Sequence, residues 1–376
     1  MSKLFSALAL RDLELANRIV VSPMCQYSAV DGSPSDWHWA HLGSLALSGA
    51  GLLCIEATAV TAEGRITPGD LGLYSDANEA GLAAVLRMIR AVSPIPVAMQ
   101  LAHAGRKGSS REPWNGGKLL PEAEGGWGPE APSAVPHAPG EAPPRALEHA
   151  DLAQVRTAFA DAAARAARLG MDAIEIHAAH GYLLHQFLSP VSNRRSDEYG
   201  GSLENRMRFP LEVFDAVRAA FPSARPVGVR ISATDWLEEI EPSPPSWTLE
   251  QSLALARALK SRGCDWIDVS SGGVSPQQKI KPGPGYQVPF AEIVRNEVGL
   301  VTMAVGLITD PHQAEAIVAE GRADMVALAR AMLFDPRWPW RAAAELGGTV
   351  VGPRQYWRAL PREAGAIFGP LTFGQR

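Results

Sequence analysis

RLGMDAIEIH, residues 168–177, joins the end of one element to the start of another. Gly170 can adopt the left-handed conformation that stops a helix, and the apolar run after it reads as a strand buried on both faces. The same junction recurs as SGAGLLCIEAT at 48–58, SRGCDWIDVSS at 261–271 and AEGRADMVALAR at 319–330. A helix that stops at glycine and feeds a buried strand is the αβ joint of a wound fold. With the remaining short apolar runs, the expected strands are 19–22, 52–56, 96–101, 172–176, 226–231, 265–270, 300–304 and 324–328, with helix-like segments between them. Eight such units predict an α/β chain folded over 1–376 as a single (β/α)8 TIM barrel, with its chemistry on the loops after the strands' C-terminal ends. An open doubly wound sheet is the alternative, but no G-x-G-x-x-G follows the first strand.

Size and composition agree with one large core: 376 residues, 46% of them hydrophobic. The formal net charge is -5 and the lysines and arginines are scattered, so neither nucleic acid nor an anionic membrane is an expected partner. Small molecules are. Arg11, Asp12 and Glu14 interrupt the first apolar run before it could serve as a signal-peptide core, and no run is long enough to span a bilayer. Cys25, Cys54 and Cys264 are odd in number and far apart, which suits a reducing cytoplasm and makes neither a disulfide framework nor an iron–sulfur set. Residues 108–149, crowded with proline and glycine, carry no helical period; as the connection after strand three they are expected to form a lid-like loop.

Reactive side chains gather where the expected strands finish: SPMCQY after strand one, QLAHAGRK after strand three, HAAHGY after strand four. His177 and His180 would lie about 10 Å apart in an extended strand but about 5–6 Å apart in a helical turn. They share a target only if the chain turns immediately after Glu175 and Ile176, which the small Ala178, Ala179 and Gly181 permit. That target is either a metal ion, as in a metal-dependent barrel hydrolase, or one substrate oxygen. A third reading has both rings bonded to backbone groups. The zinc signature H-E-x-x-H is absent, and His185 falls too far along a presumed helix to complete a ligand set, so no metal is expected. For an oxygen, two imidazole N–H donors would clamp a carbonyl or nitro group that gains negative charge. Tyr182, with an ordinary pKa of about 10, could supply a proton. Gly306 and Arg330 stand where barrels bind phosphate, and Arg230 and Gln100 could face the polar edge of a flavin.

Together, SPMCQY, QLAHAGRK and HAAHGYLLHQFLSP followed by SDEYGGSLENRMRF resemble the Old Yellow Enzyme family of FMN-dependent ene-reductases, in its bacterial thermophilic-type, xenobiotic-reductase-like branch. The resemblance runs from about residue 3 to the C-terminus. It implies tightly bound FMN, with NADPH or NADH as electron donor. Ser22, Pro23, Met24 and Cys25 would lie along the flavin, with the Cys25 thiol tuning its potential; Ala57, Gln100 and Arg230 would be further cofactor contacts. Gly272, Gly273, Gly306, Ala329 and Arg330 would form the phosphate-side loops. Tyr27 would touch substrate, His177 and His180 would clamp its oxygen, and Tyr182 would donate the proton.

The implied reaction is reduction of an activated C=C bond in an enone, enal, maleimide or nitro compound. The resemblance also implies a homodimer or higher homo-oligomer, with Trp357 in a C-terminal tail at 350–376 lent to a neighbouring subunit's site. The acidic, proline-rich stretch at 236–247 departs from the glycine-containing loop expected after strand five. A non-catalytic flavin or small-molecule binding protein is the remaining alternative.

Overall fold

Eight parallel strands close into a barrel in the computed structural model, which describes residues 2–370. They are β1 (Ile19–Val21), β2 (Leu52–Ala59), β3 (Val97–Ala102), β4 (Ala173–Ala178), β5 (Val227–Ser232), β6 (Trp266–Ser270), β7 (Val301–Ala304) and β8 (Met325–Leu328). Neighbours in sequence are neighbours in the sheet, and β8 returns to β1 through Val326 opposite Ile19. Every expected strand is present. β2 runs on to Ala59 because all of LLCIEATA is buried, which puts Ala57 inside a strand, beside an irregularity between Ile55 and Ala57.

Around the strands lie α1 (Asp36–Ala46), α2 (Asp76–Val92), α3 (His149–Arg168), α4 (Leu203–Ala220), α5 (Leu249–Ser261), α6 (Val288–Val298), α7 (Pro311–Ala319) and α8 (Trp338–Leu346). Their starts are locally encoded: Ser75, Ser202 and Asp310 accept the N–H groups of Asn78, Asn205 and Gln313, and Pro311 opens α7. Their ends are too. Gly49, Gly170, Gly263 and Gly321 have φ of +81°, +75°, +85° and +73°, so each glycine of the repeated junction takes the left-handed conformation.

The barrel interior is layered. At the N-terminal end of the strands, an antiparallel hairpin of Leu8–Leu10 and Leu13–Leu15 inserts Leu10 and Leu15 among Val20, Leu52, Ala98, Ala173, Trp266 and Met325. The charges at Arg11, Asp12 and Glu14 that break the first apolar run therefore belong to a hairpin turn and strand of a plug; Arg11 pairs with Asp265 at 2.6 Å. Trp266 fills the space opposite Gly228, where an added Cβ would lie 2.0 Å from the indole. Gly228→Ala is expected to cost about 1–3 kcal/mol by overpacking, read as a lower denaturation midpoint with an unchanged slope. An unchanged midpoint would show that Trp266 can move aside.

Two residues further along β3, β4, β5 and β6 the inward positions turn polar: Gln100, Glu175, Arg230 and Asp268 are all buried. Two residues beyond these come His177, Ser232 and Ser270 at the C-terminal rim. Inward parity thus carries polarity up the barrel to one end.

The connection at 108–149 has no helix longer than single turns at Pro113–Asn115 and Glu122–Glu124, and one short pairing of Glu130–Ala131 with Arg145–Ala146. Side chains replace regular backbone pairing: Ser109 Oγ accepts from Trp127 N (2.8 Å), and Arg106 Nη1 donates to the carbonyls of Val135 (3.2 Å) and Pro136 (3.3 Å). The segment reaches the strand-one loop, where Trp114 meets Tyr27 edge-on with centroids 5.6 Å apart. The 236–247 segment returns into the core at Trp247, which is fully buried and donates to Ser252 Oγ at 2.7 Å. Of the 350–376 tail, residues 371–376 lie outside the described residues; Val350 and Ile367 pack with Ala343 of α8.

Candidate active site

β4 continues through His177 and Ala178, two residues further than the turn expected after Ile176. The reversal comes at His180 and Gly181, with φ of +55° and +72°. A Cβ on Gly181 would stand 2.1 Å from the carbonyl oxygen of Gly273, and one on Gly273 would stand 2.5 Å from His180. The turn after β4 and the loop after β6 are therefore interlocked backbone to backbone. His185, in the short helix Leu183–Leu188, braces the same turn. Its Nδ1 accepts from Gly181 N at 2.9 Å, and its Nε2 lies 3.0 Å from Asp235 Oδ1, with both side chains fully buried.

This turn brings the expected residues together. The rings of His177 and His180 have centroids 5.1 Å apart, and those of His177 and Tyr182 are 4.9 Å apart. Burial, then the charge of Arg230, pushes the pKa of both imidazoles well below the ordinary histidine range, so each is neutral and carries one N–H. Burial, followed by Cys25 and Tyr27, pushes the Tyr182 phenol well above its ordinary value, so it keeps its proton at neutral pH. Lys107 was missed by the sequence reading although it lies in the quoted QLAHAGRK. Its ammonium stands 4.9 Å over the Tyr182 ring and donates to His180 O (2.8 Å) and Gly273 O (3.3 Å). Burial brings the Lys107 pKa down to about 8. The signal available was a lysine directly after a strand with no acidic residue near it in sequence.

Beneath the histidines lies the charged layer. Gln100 Nε2 donates to Glu175 Oε1 at 2.8 Å, and Arg230 Nε is 3.0 Å from Asp268 Oδ2, an ion contact whose N–H is not aligned on the oxygen. Burial, then Asp268, raises Glu175, with Arg230 opposing; burial also raises Asp268. A carboxyl that holds its proton more tightly folded than unfolded contributes stability that is complete at acid pH and is lost as pH rises through its raised folded pKa. Glu175→Gln is therefore expected to shrink the loss of stability between about pH 5 and pH 8 in denaturant titrations. An unchanged pH dependence would contradict the buried-acid assignment.

Beside Arg230, at the ends of β7 and β8, lies a cavity of about 200 Å³ lined by Ser270, Tyr286, Gly306, Ala329 and Arg330 among others. Gly306 has φ of +133°, and a Cβ there would press on Gln287 Nε2 at 3.1 Å and Tyr286 at 3.3 Å. Arg330 is exposed and forms no ion pair among the described residues. Two guanidinium groups facing one cavity, one of them without a carboxylate partner, suit a phosphorylated ligand. Gly272 and Gly273 are not brought into that lining: Gly273 packs against the β4 turn at His180, and Gly272 against Gln278, Ile280 and Trp236.

Ser22 is buried at the end of β1, with its hydroxyl 3.5 Å from Arg230 Nη1. The half-buried Pro23, Met24 and Cys25 follow it. Burial, then Asp70 and Glu56, pushes the Cys25 thiol well up, so it stays protonated at neutral pH. Glu56 fixes this segment: its Oε2 accepts from Gln26 N at 2.7 Å and its Oε1 lies 3.1 Å from His38 Nε2. Sequence reasoning missed Glu56 too; an acid inside the apolar LLCIEATA was the signal. Trp357 donates to Gly352 O at 3.2 Å and stacks under Arg354, both within the tail. Among the described residues, His149, Asp197 and Glu198 form the one cluster with metal-ligand spacing, and it excludes His177, His180 and His185.

Residues 3–347 match the model of the NADH:flavin oxidoreductase / NADH oxidase family. An NADPH dehydrogenase of Geobacillus sp. (strain WCH70) is 45% identical over 92% of this chain and 95% of its own length. One from Bacillus subtilis (strain 168) is 41% identical over 92% and 95%. Morphinone reductase, solved in complex with tetrahydroNAD, shares 30% identity with a TM-score of 0.74, covering 96% of this chain and 93% of its own. These matches set aside the hydrolase alternative, since the whole barrel aligns with flavin oxidoreductases. The chain belongs to the NADH:flavin oxidoreductase / NADH oxidase family, the Old Yellow Enzyme group, and is an FMN-dependent NAD(P)H oxidoreductase.

Proposed function

We propose that the protein reduces the activated C=C bond of α,β-unsaturated carbonyl and nitro compounds such as enones, enals and maleimides. The observation that carries this reading is the convergence of two neutral imidazoles and a protonated phenol on one turn, with centroids 5.1 and 4.9 Å apart. Bound FMN, reduced by NADPH or NADH, supplies the hydride for the substrate β-carbon, which no side chain can supply. The rest falls to this chain. His177 and His180 donate N–H bonds to the carbonyl or nitro oxygen as it gains negative charge. Tyr182 gives its phenolic proton to the α-carbon, and the ammonium of Lys107 over its ring stabilises the phenolate left behind.

Residues 22–25 with Ala57, Gln100 and Arg230 would hold the isoalloxazine, the positive charge of Arg230 favouring its anionic reduced form. Gly306, Ala329 and Arg330 would hold the phosphate. Gly273 would act by close packing against His180, and Gly272 by its close approach to Gln278 and Trp236. Tyr27, against Trp114 of the 108–149 loop, would contact substrate under that lid. Incubated anaerobically with NADPH, the protein should convert 2-cyclohexenone to cyclohexanone and leave cyclohexene, which has no electron-withdrawing oxygen, unconsumed. NADPH oxidation that yields no cyclohexanone would overturn the reading.

The tail reading is proposed alongside. Trp357 donates to Gly352 O and lies under Arg354, both residues of the tail, which supports its serving a neighbouring subunit of a homo-oligomer. Truncation before Pro353 should then change both sedimentation and the KM for enone; if neither changes, the shared tail is wrong. Three unpaired thiols support a reducing cytoplasm, and no described helix is long and apolar enough to cross a membrane.

A further inference from the structure

A single directed hydrogen-bond chain runs through the two histidines, and its direction can be read from its ends. Gln287 Nε2 donates to Val305 O at 3.1 Å, which turns Gln287 Oε1 towards two hydroxyls: Ser271 Oγ at 2.6 Å and Ser270 Oγ at 3.3 Å. The opposite amide orientation would face one carbonyl oxygen with another. Both hydroxyls therefore donate to Gln287. Ser270 Oγ also lies 2.6 Å from His180 Nε2, so in this arrangement it accepts from that nitrogen's N–H. At the other end, Ala179 N donates to His177 Nδ1 at 3.2 Å, leaving the single proton of neutral His177 on Nε2. That N–H points at His180 Nδ1, 3.3 Å away. Every donor in the chain has one acceptor.

In this register only one N–H faces the space between the rings. His180 presents a lone pair there and turns its own N–H away, towards Ser270. A substrate oxygen inserted between the rings would meet one donor and one repelling acceptor.

We infer that Ser270 is a positioning residue that sets the tautomer of His180: when a substrate oxygen binds, the Ser270 hydroxyl rotates from Gln287 to donate to His180 Nε2, and the His180 proton resides on Nδ1. Both imidazoles then donate to the same oxygen. The count of protons is unchanged, the one on His180 having passed from Nε2 to Nδ1 through solvent in the open pocket. Gln287 Oε1 is not orphaned, because Ser271 keeps its bond of 2.6 Å. The substrate selects the second arrangement by its better fit to two donors. The inference rests on the proposed oxygen clamp and adds a specificity requirement to it: ligands whose contacting atom is an acceptor bind by shifting a tautomer, and ligands with a donor there meet the resting one.

The test is ring ¹⁵N NMR of histidine-labelled, oxidised FMN-loaded enzyme with and without 2-cyclohexenone, which brings no proton of its own. The His180 signals are identified by their loss in His180→Ala. The expected result is an Nε2–H tautomer in the free enzyme and an Nδ1–H tautomer in the complex. A His180 that stays Nε2–H in the complex, or becomes a doubly protonated imidazolium, overturns the inference. Flavin-perturbation titrations with 2-cyclohexenone give a second reading. Ser270→Ala should weaken binding about tenfold, Ser270→Thr should restore it, and Ser270→Ala should have no further effect in a His180→Ala background. Equal losses in both backgrounds would mean that Ser270 does not act through His180. If His180→Ala itself leaves binding unchanged, the clamp fails; if it weakens binding while Ser270→Ala does not, the clamp stands and the tautomer role falls.

Discussion

Replacing both His177 and His180 with alanine is expected to slow enone reduction by at least about 10²–10³-fold, the range seen when one well-placed oxyanion donor is removed. Bleaching of the flavin by NADPH should fall far less. The asymmetry follows from where charge develops. The substrate oxygen would become an enolate as hydride arrives, in a site where His177 is buried, His180 is partly buried and both rings are neutral, so the N–H dipoles act with little competition from water. While NADPH gives up its hydride, the negative charge would develop on the flavin, beside Arg230 in the proposed site and not between these two rings. The two losses are not expected to add, because the rings touch through His180 Nδ1 and His177 Nε2 at 3.3 Å and each holds the other in place. Rapid-mixing measurements of the two half-reactions check this: equal losses in both would assign the histidines to flavin or nicotinamide binding instead.

Tyr182→Phe should lower the rate of enone reduction by about 10²–10⁴-fold, the usual contribution of a positioned proton donor, with flavin loading unchanged. The phenol is matched to delivery rather than uptake of a proton. Burial holds its pKa well above the ordinary value, so it is fully protonated through neutral pH, and the rate of the protonation step in the wild-type enzyme should be flat across that range. Lys107, whose pKa burial lowers to about 8, adds the one pH dependence expected there. As pH rises through about 8 the ammonium over the Tyr182 ring is lost, and the proton transfer it assists should slow. Undiminished turnover in Tyr182→Phe would remove the phenol as the acid.

Most of the fold was legible because it is written locally. A glycine in the left-handed conformation ends a helix whatever lies beyond, and a strand buried on both faces reads as a short, mostly apolar run, so the eight strands could be placed from short windows. His177, His180 and Tyr182 were legible for the same reason: they share one turn of chain. What the sequence hid depends on closure of the barrel. Asp235 reaches His185 across fifty residues, Ser270 reaches His180 across ninety, and Lys107 reaches Tyr182 from the strand before. No window of sequence holds both members of such a pair. Gly273 shows the converse: a glycine beside a strand end suits a phosphate loop, yet the space a side chain would need there is taken by the backbone of His180. The hairpin plug escaped because its charges face out at a turn while its two leucines, five residues apart, point the same way into the barrel.

Single-turnover absorbance decides whether the rim of this barrel reduces an activated alkene. Enzyme reduced with one equivalent of NADPH and mixed anaerobically with 2-cyclohexenone should regain its yellow flavin absorbance while forming one equivalent of cyclohexanone. Reduced enzyme that stays bleached with the enone, yet recovers its colour at once with dioxygen, would show a working flavin without alkene reduction and rule the proposed function out.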